Sequence, residues 1–212
     1  MKLPKLTQED KINILLAIFV AALICANLLG SKVTVIFGIT ASVGIFAYPL
    51  TFLMTDIVEE VYGRRKAQSF VYAGFFSLIL VFILVLISLA MPPASFYSNN
   101  EGYSKVFQNT LRIIVASLTA FFISQTHDVW MFNRWKKRHK GKHLWWRNDV
   151  STIVSQLIDT TIFIFIAFYM VTPAYTVDKM VAMIIPYWTL KIVFALCDTP
   201  FCYLGVKWLR AK

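Results

Sequence analysis

Six stretches of this 212-residue chain are apolar for as long as a helix needs to cross hydrocarbon. At about 1.5 Å per residue that length is roughly 20 residues. No other feature constrains the fold so tightly. In lipid every backbone N–H and C=O must be satisfied within the chain, so each stretch reads as a helix. They are residues 12–31, 43–62, 68–91, 110–132, 150–171 and 181–207. The chain is 58% hydrophobic, against about 45–50% in soluble domains. Its polar residues fall in short connectors, so residues 1–212 read as a single transmembrane domain.

The second stretch is the weakest. Pro49 interrupts it, and Asp56, Glu59 and Glu60 crowd its end, which leaves a kinked or partly inserted helix open. Residues 33–41 (VTVIFGITA) are β-branched around one Gly and suit a short extended turn. Pro92-Pro93 ends the third stretch, and Pro173 follows the fifth. The run Ile12–Leu29 is longer than a secretory apolar core and lacks a small-x-small cleavage pattern, so it reads as a retained first helix.

Lys and Arg set the orientation. One side receives Lys2, Lys5 and Lys11, then Arg64, Arg65 and Lys66. It also receives the basic connector (Arg134, Lys136, Lys137, Arg138, Lys140, Lys142, Arg147) and Lys207, Arg210 and Lys212. The other side has Lys32, Lys105 and Lys179, a split of 16 against 3. The predicted fold class is therefore an all-α integral membrane protein, a bundle of six transmembrane helices with both termini cytoplasmic. Topology accounts for the net charge of +10, so the expected partner is the lipid bilayer and no nucleic acid. Trp145 and Trp146 suit an interfacial belt. Cys25, Cys197 and Cys202 are too few and too dispersed for a disulfide framework or a zinc site, and read as small core residues.

Four lone aspartates break the apolar pattern: Asp56, Asp128, Asp159 and Asp198. A charge at the bilayer centre costs about 2.5–3.5 kcal/mol on insertion scales, so such residues mark solute paths more often than packing. On the fifth stretch Thr152, Ser155, Gln156 and Asp159 share one helical face, expected to turn inward. On the fourth, Ser124-Gln125-x-x-Asp128 repeats the spacing of Ser155-Gln156-x-x-Asp159 in the opposite chain direction, as a trace of inverted repeats would. On the sixth, Tyr187, Lys191, Asp198 and Cys202 lie along one side. Lys191 and Asp198 are two turns apart, so each is expected to find its partner on another helix, with Asp159 the partner that depth suggests for Lys191. Asn27 and Arg112 complete the intramembrane polar set, with Arg112 near enough to the outer boundary to snorkel.

There is no H-E-x-x-H, P-loop or G-x-S-x-G pattern, so an enzyme is not predicted, and neither a metal nor a cofactor is called for. His127 adjoins Asp128, while His139 and His143 lie in the basic connector with Gly141 between them. The residues alone lead to a transporter of a small polar solute.

Some segments are more specific. Pro49-Leu-Thr-Phe-Leu-Met-Thr-Asp56-Ile-Val-Glu-Glu60-Val-Tyr-Gly63, followed by the two S-Q-x-x-D copies and Arg147-Asn-Asp-Val-Ser151, resembles the VUT family, the queuosine precursor transporters. The likeness covers most of residues 27–170. It implies a six-helix, multi-pass inner-membrane importer of 7-cyano-7-deazaguanine (preQ0), with the aminomethyl form preQ1 as a further candidate. The chain departs from the family at Glu59, where relatives often have Asn, and at His127, in a usually apolar place. The resemblance carries Asp56, Glu60, Gln125, Asp128, Gln156 and Asp159 as substrate-site candidates. Lys191 and Asp198 rest on the reading of the sixth stretch; Ser155 and Asn27 are added as intramembrane polar residues, Phe121 and Phe163 as aromatics near the stripes.

The implied substrate suits such residues. A deazapurine offers a ring N–H and an exocyclic NH2 side by side, and one carboxylate accepts both. Gln can read the neighbouring carbonyl, and a flat ring stacks on Phe. The leading expectation is a secondary carrier or facilitator, with Pro49, Pro186 and Pro200 as hinge candidates. The alternative is a substrate-binding membrane subunit of an ATP-driven uptake complex. A homo-oligomer is compatible with either.

Overall fold

Thr7 and Asp10 start the first helix. Thr7 Oγ accepts from the Asp10 N–H at 3.1 Å, and the Asp10 carboxylate accepts from the Thr7 N–H at 2.8 Å. This reciprocal cap satisfies two orphan donors. The Thr7 hydroxyl, then its N–H, hold the Asp10 carboxyl below the usual carboxylate range.

In a computed structural model the chain continues as α1 (Gln8–Leu29), β1 (Val33–Ile36), β2 (Ile39–Ser42) and a 3-10 turn (Val43–Phe46). Then come α2 (Tyr48–Tyr62), α3 (Arg64–Ala90), α4 (Asn100–Arg138), α5 (Leu144–Phe168) and α6 (Val177–Arg210). The structure describes residues 6–36, 38–138, 144–171, 173 and 176–211. Within these it describes all side chains except those of 125–126, 128–138, 144–152, 195–196 and 198–199. Among the described residues, α1, α3 and the Asn100–Ser124 part of α4 are long and apolar enough to cross a membrane, and Ile153–Phe168 is a shorter apolar helix.

The exposed side chains are those of a protein built for lipid. On α3, Ala67, Phe70, Gly74, Leu78 and Val85 are buried, while Tyr72, Phe76, Leu80, Ile83, Leu84 and Ile87 are exposed. So much contiguous exposed apolar surface on one helix calls for an apolar solvent.

The chain divides into two units, one of residues 1–34, 42–111 and 191–212, the other of 35–41 and 112–190. The core of the first is Leu15, Phe19, Leu53, Met54, Ile57, Val58, Phe70 and Leu209, from α1, α2, α3 and the end of α6. Glycines let its backbones approach, as membrane helices require. A Cβ on Gly74 would stand 2.6 Å from Leu23 Cδ2 on α1, and one on Gly205 would collide with Ile57 on α2. At the cytoplasm-predicted end, Lys11 is buried. Its ammonium donates to the carbonyls of Trp208 (2.9 Å) and Ala211 (2.5 Å) and lies 5.3 Å from the Trp208 ring centroid. A cation on the last carbonyls of a helix is worth up to about 2 kcal/mol when partly buried. Tyr62 donates to Gln8 Oε1 at 2.8 Å, and Arg210 pairs with Glu60 at 3.2 Å. The start of α1 and the ends of α2 and α6 therefore meet.

The second unit holds α5, most of α4 and the start of α6. Arg112 closes one end of its α4–α5 pair: Nε donates to the Ile166 carbonyl at 2.6 Å and Nη2 to that of Tyr169. Ile166 lies in the last turn of α5 and Tyr169 just past its end, beside Met170 with its positive φ of 56°. Arg112 thus caps a neighbouring helix rather than simply snorkelling.

Several sequence expectations change here. Val33–Ile36 and Ile39–Ser42 pair as a two-stranded sheet with Gly38 (φ 81°) just before the second strand, close to the extended turn expected. Pro49 lies in the first turn of α2, where no intrahelical N–H bond is lost, so it starts a helix rather than kinking one. The 15-residue α2 is shorter than the 43–62 stretch because Val43–Phe46 takes the 3-10 form first. α4 begins at Asn100, not residue 110, and α6 continues through Pro186 and Pro200. Cys25 and Cys197 are exposed and Cys202 is half-buried, not core: a thiol is apolar enough to face lipid.

Candidate functional site

The inward face of α5 organises the second unit. Ser155, Asp159 and Phe163 recur every four residues and so line one side of the helix. Ser155 is buried, while Gln156, Asp159 and Phe163 are half-buried; Ile153 is 44% exposed, whereas Thr160 and Ile164 further along its side of the helix are fully buried. Thr152, which the stripe also includes, has its side chain outside the described residues.

Two neighbouring helices meet that face. From α4, His127 Nδ1 lies 3.2 Å from Ser155 Oγ. Together with the Arg112 cap this sets an antiparallel register in which the Ser124–Asp128 and Ser155–Asp159 stretches run side by side. Ser124 is buried and Phe121 half-buried on α4; Ser124 Oγ bonds the Phe121 carbonyl of its own helix at 3.1 Å. From α6, Tyr187 is buried, with its ring 6.5 Å from that of Phe163 and tilted by 16°. Asp159 is close enough for its charge to be felt at the Tyr187 phenol. A carboxylate, a hydroxyl, an imidazole and two near-parallel rings thus share one side of the α4–α5–α6 segment. The sequence marks His127 only as a departure from the family pattern and gives Tyr187 no site role. Tyr187 left one signal, its place four residues before Lys191 on the same side of α6.

The first unit holds the other candidates. Tyr48, Asp56 and Glu60 on α2 run alongside Lys191, Cys202 and Arg210 on α6, the two helices being parallel. Lys191 Nζ stands 4.7 Å over the Tyr48 ring, so its partner does lie on another helix. This cation–π contact is worth about 0.5–2 kcal/mol. Asp56 and Glu60 are both near enough to Cys202 for their charges to act there. Both acids are exposed beside this seam, as is Glu59. The Glu60–Arg210 pair is 58% and 63% exposed, so it contributes little stability, about 0–1 kcal/mol. Asn27 on α1 is 3% exposed; its Nδ2 donates to the Leu23 carbonyl at 2.9 Å, while its Oδ1 has no hydrogen-bond partner among the described residues.

The side chains of Gln125, Asp128 and Asp198 lie outside the described residues, as do those of Trp145, Trp146 and the basic connector. Among the described residues no three His, Cys, Asp or Glu side chains are grouped to hold a metal ion.

Lipid-facing helices with an inward polar stripe mark a membrane transport protein. The profile of the family described as "Putative vitamin uptake transporter" matches residues 42–205, and the chain belongs to that family. It is 34% identical over 187 residues to a "Probable queuosine precursor transporter" of Bacillus subtilis (strain 168), covering 88% of this chain and 80% of that one. It is 25% identical over 195 residues to the "Queuosine precursor transporter" of Escherichia coli (strain K12), covering 90% and 84%. A "Probable queuosine precursor transporter" of Haemophilus influenzae is 26% identical over 127 residues, covering 59% and 51%. No solved structure gives a significant match.

Proposed function

We propose that this chain imports a queuosine precursor, 7-cyano-7-deazaguanine and also its 7-aminomethyl form, across the inner membrane as a secondary carrier or facilitator. The observation that carries the proposal is the meeting of Ser155, Asp159 and Phe163 on α5 with His127 and Tyr187. Asp159 would accept the paired N–H donors of the deazapurine, and the Phe163 and Tyr187 rings would take its flat face. Six crossings with cytoplasmic termini fit the basic-residue split and the meeting of the α1 start with the α6 end. Gln125, Asp128 and Gln156 are proposed as further solute contacts of this face, and Asp56, Glu60 and Asp198 as solute contacts of the first unit.

The test is uptake of labelled 7-cyano-7-deazaguanine into vesicles holding only the purified chain. Saturable uptake is expected. Binding in detergent without uptake would make the chain the capturing subunit of a larger complex, and neither binding nor uptake would overturn the substrate assignment.

A further inference from the structure

The last turns of α6 have two sides. Cys202, Gly205 and Leu209 turn to the core of the first unit, where Gly205 packs against Ile57 and Leu209 is fully buried. Pro200, Leu204 and Lys207 fall at helical spacing on the opposite side, with Tyr203 and Arg210 beside them. Together with Val206 these five line an open groove of about 950 Å³. Tyr203 is 76% exposed and Leu204 65%, so the middle of the groove is bare and apolar. Its cytoplasm-predicted end is basic. The Lys207 ammonium has no ion pair or hydrogen bond among the described residues. Arg210 commits only Nη2, to the Glu60 carboxylate and carbonyl, which leaves its other N–H groups available.

Apolar contacts that give way within one helical turn to free cations match the order of groups in a phospholipid. We propose that this groove binds one phospholipid with an anionic headgroup. An acyl chain lies along Pro200, Tyr203 and Leu204, and the phosphate meets Lys207 and Arg210. Charge selects this occupant. A zwitterionic lipid brings its own ammonium to the two cations. A second copy of the chain, docked by the same face with its α6 parallel in the membrane, would set like charges together. Each Lys or Arg near the headgroups is worth about fivefold in affinity for an anionic lipid. Glu60 competes with the phosphate for Arg210, and so sets how tightly the lipid is held.

The test is native mass spectrometry of the purified full chain in detergent, titrated with phosphatidylglycerol or with phosphatidylcholine of the same acyl chains. The first phosphatidylglycerol should bind at least about tenfold more tightly than the first phosphatidylcholine. Lys207→Gln and Arg210→Gln should each weaken phosphatidylglycerol about fivefold and leave phosphatidylcholine unchanged. Both side chains are exposed, so neither variant threatens the fold. Glu60→Gln should strengthen phosphatidylglycerol binding, because it frees Arg210. Leu204→Gln should weaken both lipids. Arg65→Gln, a basic residue at the start of α3, should change neither. Equal affinity for the two lipids, a preference that survives loss of both Lys207 and Arg210, or an equal loss in Arg65→Gln would overturn the proposal. So would no gain in Glu60→Gln or unchanged binding in Leu204→Gln. Displacement of the lipid by inorganic phosphate would give the cations to a soluble anion instead, and a dimer that binds no lipid would give the face to a second copy; either result also overturns it.

Discussion

Asp159 lies four residues from both Ser155 and Phe163, so one substitution probes the whole inward face of α5. Asp159→Asn keeps the shape and removes the charge. Uptake should fall at least about tenfold, since charge-assisted bonds are roughly twice as strong as neutral ones, while the amount of protein in the membrane stays near normal on a blot. Tyr187 separates stacking from hydrogen bonding: Tyr187→Phe retains the ring and should bind solute better than Tyr187→Leu, by about 2–10-fold in a binding titration. At this scale the sequence was informative where geometry is local. The α5 stripe follows from helical spacing alone; of its described members only Ser155 is buried, and the fully buried Thr160 and Ile164 lie off the stripe. His127 and Tyr187 were not legible as site residues because their contacts depend on how α4, α5 and α6 register. Lys191 illustrates the same point: its depth suggested a partner on another helix, but nothing in the spacing chose the Tyr48 ring.

Elements were legible where lipid dictates them and less so where it does not. Hydropathy found the end of α3 within one residue but began it a turn late, at 68 rather than Arg64, and missed the first turns of α4. There Asn100-Glu-Gly-Tyr-Ser-Lys is helical but polar, and hydropathy reports lipid contact rather than helix. Pro49 misled because the same residue that breaks a helix interior suits its first turn. The turn between α1 and α2 makes a sharp comparison. A Cβ on Gly44 would run into the backbone oxygen of Ala26, with Ala26 C only 3.2 Å away, and backbone cannot swing aside as a side chain can. At Gly38 the space is open, and only the φ of 81° opposes a side chain. Gly44→Ala should therefore destabilise by about 1–3 kcal/mol, as overpacking does, against about 1 kcal/mol for Gly38→Ala. Thermal unfolding of the purified variants in detergent would show the larger drop for Gly44→Ala.

For the molecule as a whole, the distribution of Lys and Arg carried more information than any motif, because a slipped helix would have scattered it over both sides. The contacts of Lys11, Tyr62 and Arg210 agree in bringing the start of α1 to the ends of α2 and α6. Reporter fusions at the two termini should accordingly both read as cytoplasmic; opposite signals would remove a crossing. Lys11→Met should lower the unfolding midpoint, since it leaves the carbonyls of Trp208 and Ala211 without their cation. That staple also has a consequence in time. α1 leaves the ribosome with a charge whose acceptors lie 197 and 200 residues further along the chain. Until Ala211 is made, Lys11 has only water or headgroups to satisfy it, and a chain truncated after Lys207 never acquires these acceptors. Quality-control proteases would meet such a chain with α1 undocked from α6, so truncation after Lys207 should register in pulse-chase as rapid turnover of the whole protein.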